Sequence, residues 1–293
     1  LERLCGGCVV AELSPLSRGA AVELASNLTG GSGESLIREV ESLGAGALAC
    51  IPLTLELLAA EYRESGSVTG GITELFDRGI RRLLARTPGL GSAATDPQRL
   101  AFAKRAAAFL LLTGRHTLVH DWDDVSERDL SIQDLIVGVE RVDGGFFEVT
   151  KEVAFATLRS ALIAGGEGNR AAFSHGSFAS FLAAHYLADR RLPEMQLRQL
   201  LTVAAPDAVA SIPPMLREMA AWFVALAPEQ GVWLIHEDPE GLAAHSMLLG
   251  RPDLKAALVG ALIQRAPEME LTRGGWKTAR WNVAHAGLAA QLH

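Results

Sequence analysis

The chain has 293 residues and a net charge of −7, with 49% apolar and only 6% aromatic residues. That charge, with no run of Lys or Arg longer than two, excludes a general electrostatic grip on nucleic acid. The length suffices for two or three compact units, and the dominance of Ala and Leu over aromatics favours helix over sheet.

Residues 5–13 read as a short buried strand, Cys8-Val9-Val10-Ala11, leaving through Glu12-Leu13. Cys5-Gly6-Gly7-Cys8 matches C-x-x-C, yet a redox pair should follow a strand and open a helix, and zinc needs a second ligand pair that is not suitably spaced here. With Cys50 the cysteines number three, an odd and small set that points to a reducing compartment. Pro15 ends the strand, and Ser17 caps a helix from Arg18 to Leu28. A Gly/Ser turn at 30–33 leads to a helix over 34–43. Gly44-Ala45-Gly46-Ala47-Leu48-Ala49 fits G-x-G-x-x-A, but helical residues precede it where a dinucleotide fingerprint needs a strand, so it reads as a helix–turn–helix connection. Ile51-Pro52-Leu53 opens the next helix, with Pro52 in the first turn where its missing N–H costs nothing. A further helix over 71–86 completes a small helical bundle domain spanning 14–90, preceded by residues 1–13.

Residues 87–97 are a linker by composition, and a second domain spans 91–192. It begins with a helix over 98–112 and a strand at Thr117-Leu118-Val119. His116 and His120, followed by Asp121, Asp123 and Asp124, would converge on a metal if helical; in a strand, residues four apart lie about 13 Å from each other, so an exposed turn is expected instead. An acidic turn at 121–129 and a short helix at 130–138 follow. Phe146-Phe147-Glu148-Val149 fits a strand or a helix start, and Thr150 to Ile163 reads as helix. A hairpin-type turn at 165–169 leads into a short strand, Arg170 to Phe173. In the next helix Phe178, Phe181, Leu182 and Tyr186 share one face. His175 sits where that helix begins, placed to hydrogen-bond an anion that the free backbone N–H groups also reach.

Three helices with a small hairpin ending in a longer helix is the order of a winged helix. After Leu192-Pro193, proline-punctuated helices at about 195–203, 213–227, 230–235, 240–249, 252–265 and 276–291 form a solenoid-like array over 193–293, with Trp222, Trp233, Trp276 and Trp281 in its core. The expected fold is therefore mainly α: a helical bundle, a winged-helix-like domain with a minor β-hairpin, and a helical repeat-like array. The apolar run near 106–112 is too short to span a bilayer, and no signal peptide is evident. A cytoplasmic piece of a longer protein is expected, since the chain starts at Leu1 and stops at His293 soon after a helical pattern.

Four stretches, in order, resemble the helical half of a bacterial NACHT-type NTPase of the STAND class. Leu13-Ser14-Pro15-Leu16-Ser17 resembles the exit from the last strand of the nucleotide-binding sheet, and Ile51 to Leu58 the proline-containing helix start near the adenine. Phe173-Ser174-His175 through Tyr186-Leu187 is similar to the closing motif of the winged-helix module, and Trp281 to Ala289 to an early helix of the sensor array. G-x-x-x-x-G-K-[ST] occurs nowhere in the sequence, so the resemblance implies an ATPase parent whose phosphate-binding loop and Mg²⁺ belong to an upstream domain. It implies no catalysis, metal or membrane binding by this chain itself. It further implies that His175 contacts the β-phosphate of ADP and that Pro52 packs on the adenine. Together these would hold a closed state until ATP, or a trigger ligand on the array, releases it into a homo-oligomer, in signalling or antiviral defence. A second reading is a winged-helix DNA-binding regulator with a helical effector region. The acidic charge opposes it, as does the scarcity of basic residues around 173–187, where His185, Arg190 and Arg191 are the only ones.

Overall fold

The computed structural model describes residues 15–43, 46–85, 94–120, 126–166, 169–204, 210–273 and 283–292. The strand at 5–13 with Cys5 and Cys8, the exit residues Leu13-Ser14, and Gly44-Ala45 lie outside the described residues, as do most of the 87–97 linker, the acidic residues 121–125, Trp276 and Trp281. The chain is mainly helical with small β elements, as composition predicts. It divides into two compact units, Leu1–Gly70 and Gly71–His293.

The first unit is built on α1 (Arg18–Thr29), α2 (Gly33–Ser42), the single turn α3 (Gly46–Ala49) and α4 (Pro52–Ser65). The hydroxyl of Ser17 accepts from the N–H of Ala20 at 3.2 Å and starts α1, and Gly30 closes it in the left-handed conformation that favours glycine. Ala21 and Ala25 are buried against Leu36, Ile37 and Val40 of α2 and Leu55, Leu58 and Ala59 of α4. The first two helices approach closely because residue 33 is glycine: a Cβ there would lie 2.3 Å from Ser26 Oγ and 2.4 Å from the carbonyl of Val22. Ile51 is extended (φ −109°, ψ 122°), and Pro52 takes the first position of α4. The Thr54 hydroxyl donates to the carbonyl of Ile51 at 3.0 Å and to that of Leu48, which ties the entry of α4 to α3.

The second unit opens with α5 (Ile72–Ala85) and α6 (Asp96–Leu112), the latter started by a capping box between Thr95 and Gln98. Next come β1 (Thr117–Val119), β2 (Asp129–Ser131), the one-turn α7 (Ile132–Leu135), the hairpin β3 (Val139–Val142) and β4 (Gly145–Glu148), α8 (Lys151–Leu158), β5 (Ile163–Gly165) and β6 (Arg170–Phe173). The strands make a four-stranded sheet of order β2-β1-β6-β5, plus the separate β3–β4 pair. β1 runs parallel to β2, with Leu118 opposite Leu130, and antiparallel to β6, with Leu118 opposite Ala171. The described part of the unit then continues with α9 (Gly176–Arg190), α10 (Glu194–Leu201), a 3₁₀ turn at Pro214–Leu216, α11 (Arg217–Leu226), α12 (Pro228–Gly231), α13 (Trp233–Glu237), α14 (Pro239–Ala243), a second 3₁₀ turn at Ser246–Leu249, α15 (Pro252–Arg273) and α16 (Leu288–Leu292).

Several sequence expectations need correction. The helix expected over 130–138 is a strand followed by one turn of helix; Ser131 caps that turn, and Gly138 at φ 84° redirects the chain into β3. The helix expected from Thr150 to Ile163 stops at Leu158, because Ser160 turns back onto the carbonyl of Thr157 and Ile163 is drawn into pairing with Phe173. Residues 145–148 resolve as strand, so the minor hairpin at β5–β6 has a companion. The helix at 71–86 was expected in the first bundle; as α5 it packs within the second unit, and the expected boundary at 192/193 falls inside that same unit.

α9 is the hub of the second unit. It packs against α6, α11 and α5, and Phe178 through Ala184 are buried along it, as is Leu187. Phe76, Phe178, Phe181 and Trp222 meet there, with ring centroids 5.7 Å (Phe76–Phe181), 4.7 Å (Phe76–Trp222) and 4.9 Å (Phe181–Trp222) apart. Beside this cluster lies a second apolar core, in which Phe102, Ala106 and Leu110 of α6 meet Leu118, Leu130, Leu135 and Val153.

Asp129 pins the sheet. Its buried carboxylate accepts from Arg170 Nη2 at 2.9 Å, from the Ser126 N–H at 2.9 Å and hydroxyl at 2.8 Å, and from Thr117. The Arg170 hydrogen bond, then that of Thr117, holds the carboxyl well below the usual range. A depressed carboxylate stabilises the fold fully above the unfolded-state value and loses that contribution as the pH falls below about 4.

Two measurements test this packing. Phe181→Ala should cost about 3–5 kcal/mol in urea unfolding, since it empties the middle of the aromatic cluster. Asp129→Asn should cost about 3 kcal/mol at neutral pH, leaving Arg170 without its carboxylate, and the gap to wild type should narrow when melting is followed from pH 5 down to pH 2.

Candidate functional site

His175 stands directly before α9 with extended backbone (φ −147°, ψ 140°) and is exposed. Its ring caps the helix: Nδ1 accepts from the N–H of Ser177 at 3.1 Å, and its carbonyl accepts from the N–H of Phe178 at 3.1 Å. The ring also leans edge-on to Phe178, with centroids 6.1 Å apart. An imidazole that accepts at Nδ1 carries its proton on Nε2 when neutral, so one directional donor remains for a ligand. Of the free N–H groups that the sequence offered at this terminus, those of Ser177 and Phe178 are taken by His175 itself. The N–H of Gly176 has no partner among the described residues, and a Cβ added at Gly176 would meet nothing within 4 Å.

Pro52 belongs to the other unit. Its ring is exposed at the first turn of α4, fixed in direction by the extended Ile51 and the Thr54 hydrogen bonds beneath it. Nothing the described residues present around His175 or Pro52 would chelate a nucleotide's phosphates. His175 supplies one outward donor in the second unit, and Pro52 one exposed apolar ring in the first.

At the opposite end of α9 lies a charged cluster that the sequence reading missed. Glu140 of β3 is buried. It accepts from Arg105 Nη1 at 2.8 Å, from the Tyr186 hydroxyl at 3.0 Å and from Arg190 Nη2. Arg105 Nη2 also donates to the carbonyl of Val137 at 2.6 Å, and the Arg190 guanidinium lies over the Tyr186 ring, 4.4 Å from its centroid. Burial and then the charge of Glu140 push the Tyr186 phenol up to about 12, which keeps its proton available for donation. The one signal in the sequence is an arginine inside an otherwise apolar helix, Arg105 within Ala-Lys-Arg-Ala-Ala-Ala. Also in the C-terminal half of α9, Lys104 Nζ of α6 donates to Asp189 at 2.8 Å and lies 3.1 Å from His185 Nδ1. Burial raises the Asp189 carboxyl, but the hydrogen bonds of His185 and Lys104 outweigh it and hold the group at about 2.

His116 and His120 flank β1, one before it and one after, and both are exposed; the His120 ring packs on Phe155 at 4.7 Å. Among the described residues no group of three or more His, Cys, Asp or Glu could hold a metal ion, and no helix is long and apolar enough to cross a membrane. Trp222 is core as expected, whereas Trp233 is half-buried under the Arg198 guanidinium at 4.4 Å. No protein-family model matches the sequence, and no curated protein is similar enough to be matched.

The cap itself can be tested. His175→Ala should lower the stability of the second unit by about 1 kcal/mol, whereas His175→Asp, a stronger capping residue, should keep or raise it in thermal unfolding.

Proposed function

We propose that this chain is the regulatory segment of an ATP/ADP-dependent signalling switch, the helical and winged-helix part of a NACHT-type STAND NTPase whose nucleotide-binding domain lies upstream. The observation that carries the reading is His175. Its ring is held rigidly at the start of the central helix, one nitrogen spent on the cap and the other offered outward. Such a donor reads an anion by direction as well as charge, which suits the β-phosphate of ADP. The succession α6, β1, α8 and the β5–β6 hairpin, with β1 paired to β6, supports the winged-helix reading, although β2, α7, β3 and β4 are inserted between β1 and α8.

In this reading the segment is cytoplasmic, does not hydrolyse ATP alone, and contributes His175 and Pro52 as secondary contacts to the nucleotide. Closure would be lost when ATP or a trigger on the helical array favours the open state. A near-complete shift needs about 5 kcal/mol of differential binding, more than one histidine can supply, so His175 acts with other contacts of the closed state. Assembly of the open form into a homo-oligomer would follow.

The DNA-binding alternative has little support in the geometry. Burial along α9 is nearly continuous between α6 and α11, so it offers no broad face to a groove. The helix before the β5–β6 hairpin, α8, exposes Lys151 and Glu152, opposite charges, at its first turn.

The decisive experiment uses the protein that includes its nucleotide-binding domain. A hydrogen bond to a charged phosphate is worth about 1.5–3 kcal/mol, so His175→Ala should weaken ADP retention about 10- to 100-fold and raise basal signalling. His175→Asp keeps the cap while replacing the donor with a carboxylate, and should lose ADP at least as completely. Undiminished ADP in both purified variants overturns the proposal.

A further inference from the structure

The β3–β4 hairpin raises a question of stability that its own contacts do not answer. It is a two-stranded pair that no third strand joins among the described residues, and such a pair is marginal in water by itself. Val139, Arg141, Phe146 and Glu148 are exposed, with Phe146 75% and Val139 56% accessible, so apolar burial supports only one face. On that face are Phe147, which packs against the α6 core, and Glu140, directly opposite it in the register.

We infer that this hairpin is a releasable flap, latched through Glu140 to α6 and α9, and that Arg190 is the half of the latch that lets go. The two arginines differ in what release would cost. The Arg105 side chain is 11% exposed, so parting it from Glu140 would strand a charge away from water. The Arg190 side chain is 39% exposed and sits in the last turn of α9, where water can solvate it at once. Release at Arg190 therefore costs little and leaves Arg105 holding the hairpin to α6. Arg190 holds one carboxylate oxygen by itself, while the other is shared by Arg105 and the Tyr186 hydroxyl, so after the step Tyr186 is the remaining link from α9 to β3. Arg190 is the first step; full opening, with Arg105 and Tyr186 parted from Glu140 as well, would uncover the inward side of Phe147 and add it to the already exposed Phe146, Val139 and Val137. This device does not depend on the nucleotide reading of His175.

Hydrogen exchange read by mass spectrometry on the whole chain tests it. Arg190→Ala should speed exchange across 139–148 by about tenfold, with the interior amides of α6 and α9 within twofold of wild type. Arg190→Lys should recover part of that protection. Glu140→Gln, which removes both halves of the latch, should speed the hairpin further than Arg190→Ala. Wild-type exchange of the hairpin in Arg190→Ala overturns the inference, because the clamp would then be a static brace. So would an equal rise over 139–148, α6 and α9, because the cluster would then open only with the whole core.

Discussion

The burial of one helix organises the second unit. α9 is 15 residues long, about 22 Å, and α5, α6 and α11 all pack against it. Phe178 and Phe181 reach Phe76 on one side and Trp222 on another, so a single aromatic cluster joins the first helix of the unit to its helical array. Through that cluster Phe76 of α5 packs on Phe178 and Phe181 of α9 and on Trp222 of α11, so α5 falls in the second unit. It also ties the small-sheet region around α9 to the helices from α11 onward within one compact unit.

The charged groups inside this body follow a consistent rule. Three buried carboxylates of this unit each take several donors, at least one of them distant in sequence: Asp129 from Arg170, Thr117 and the nearby Ser126, Glu140 from Arg105, Arg190 and Tyr186, and Asp238 from the N–H groups of the nearby Gly241 at 2.9 Å and of Ile212 at 3.0 Å. Desolvating a carboxylate is costly, and these bonds offset that cost only in one arrangement. Apolar packing sets where the helices meet, while the carboxylates fix which strand or turn sits against them. Asp129 selects the β1–β6 pairing, Glu140 the seat of the hairpin, and Asp238 the start of α14.

The helices were legible because their signals are local. Ser17, Pro52 and the Thr95–Gln98 box mark starts through side chains that satisfy the first turn, and the 3.6-residue spacing of Phe178, Phe181 and Leu182 marks a buried face. The strands were less legible because they are three or four residues long and owe their existence to partners. Ile163 is a strand residue only because Phe173 lies opposite it, and Leu130 only because β1 runs alongside. His175 could be placed from sequence as a helix-boundary residue, but the Nδ1 cap that directs its other nitrogen outward is a matter of geometry. The Glu140 cluster had no sequence signal beyond a charge set in an apolar run, since its members come from positions 105, 140, 186 and 190.

The two ends of α9 differ in kind, and the difference bears on how a switch would use them. At the N-terminal end a single exposed ring is fixed by the helix's own first turn, so its geometry survives whether or not anything docks there. At the C-terminal end the contacts are tertiary: Tyr186 and Arg190 reach a carboxylate on another element, and their geometry exists only while that element is in place. A preformed donor binds without first having to be ordered, which keeps its affinity from being spent on conformational entropy. A clamp made across elements adds stability to one arrangement and none to the other, the property a two-state element requires. α9 thus joins a contact point set by its own first turn to a tertiary clamp through a buried stretch, Phe178 to Ala184, whose one polar side chain, Ser180, bonds Glu218 rather than either end.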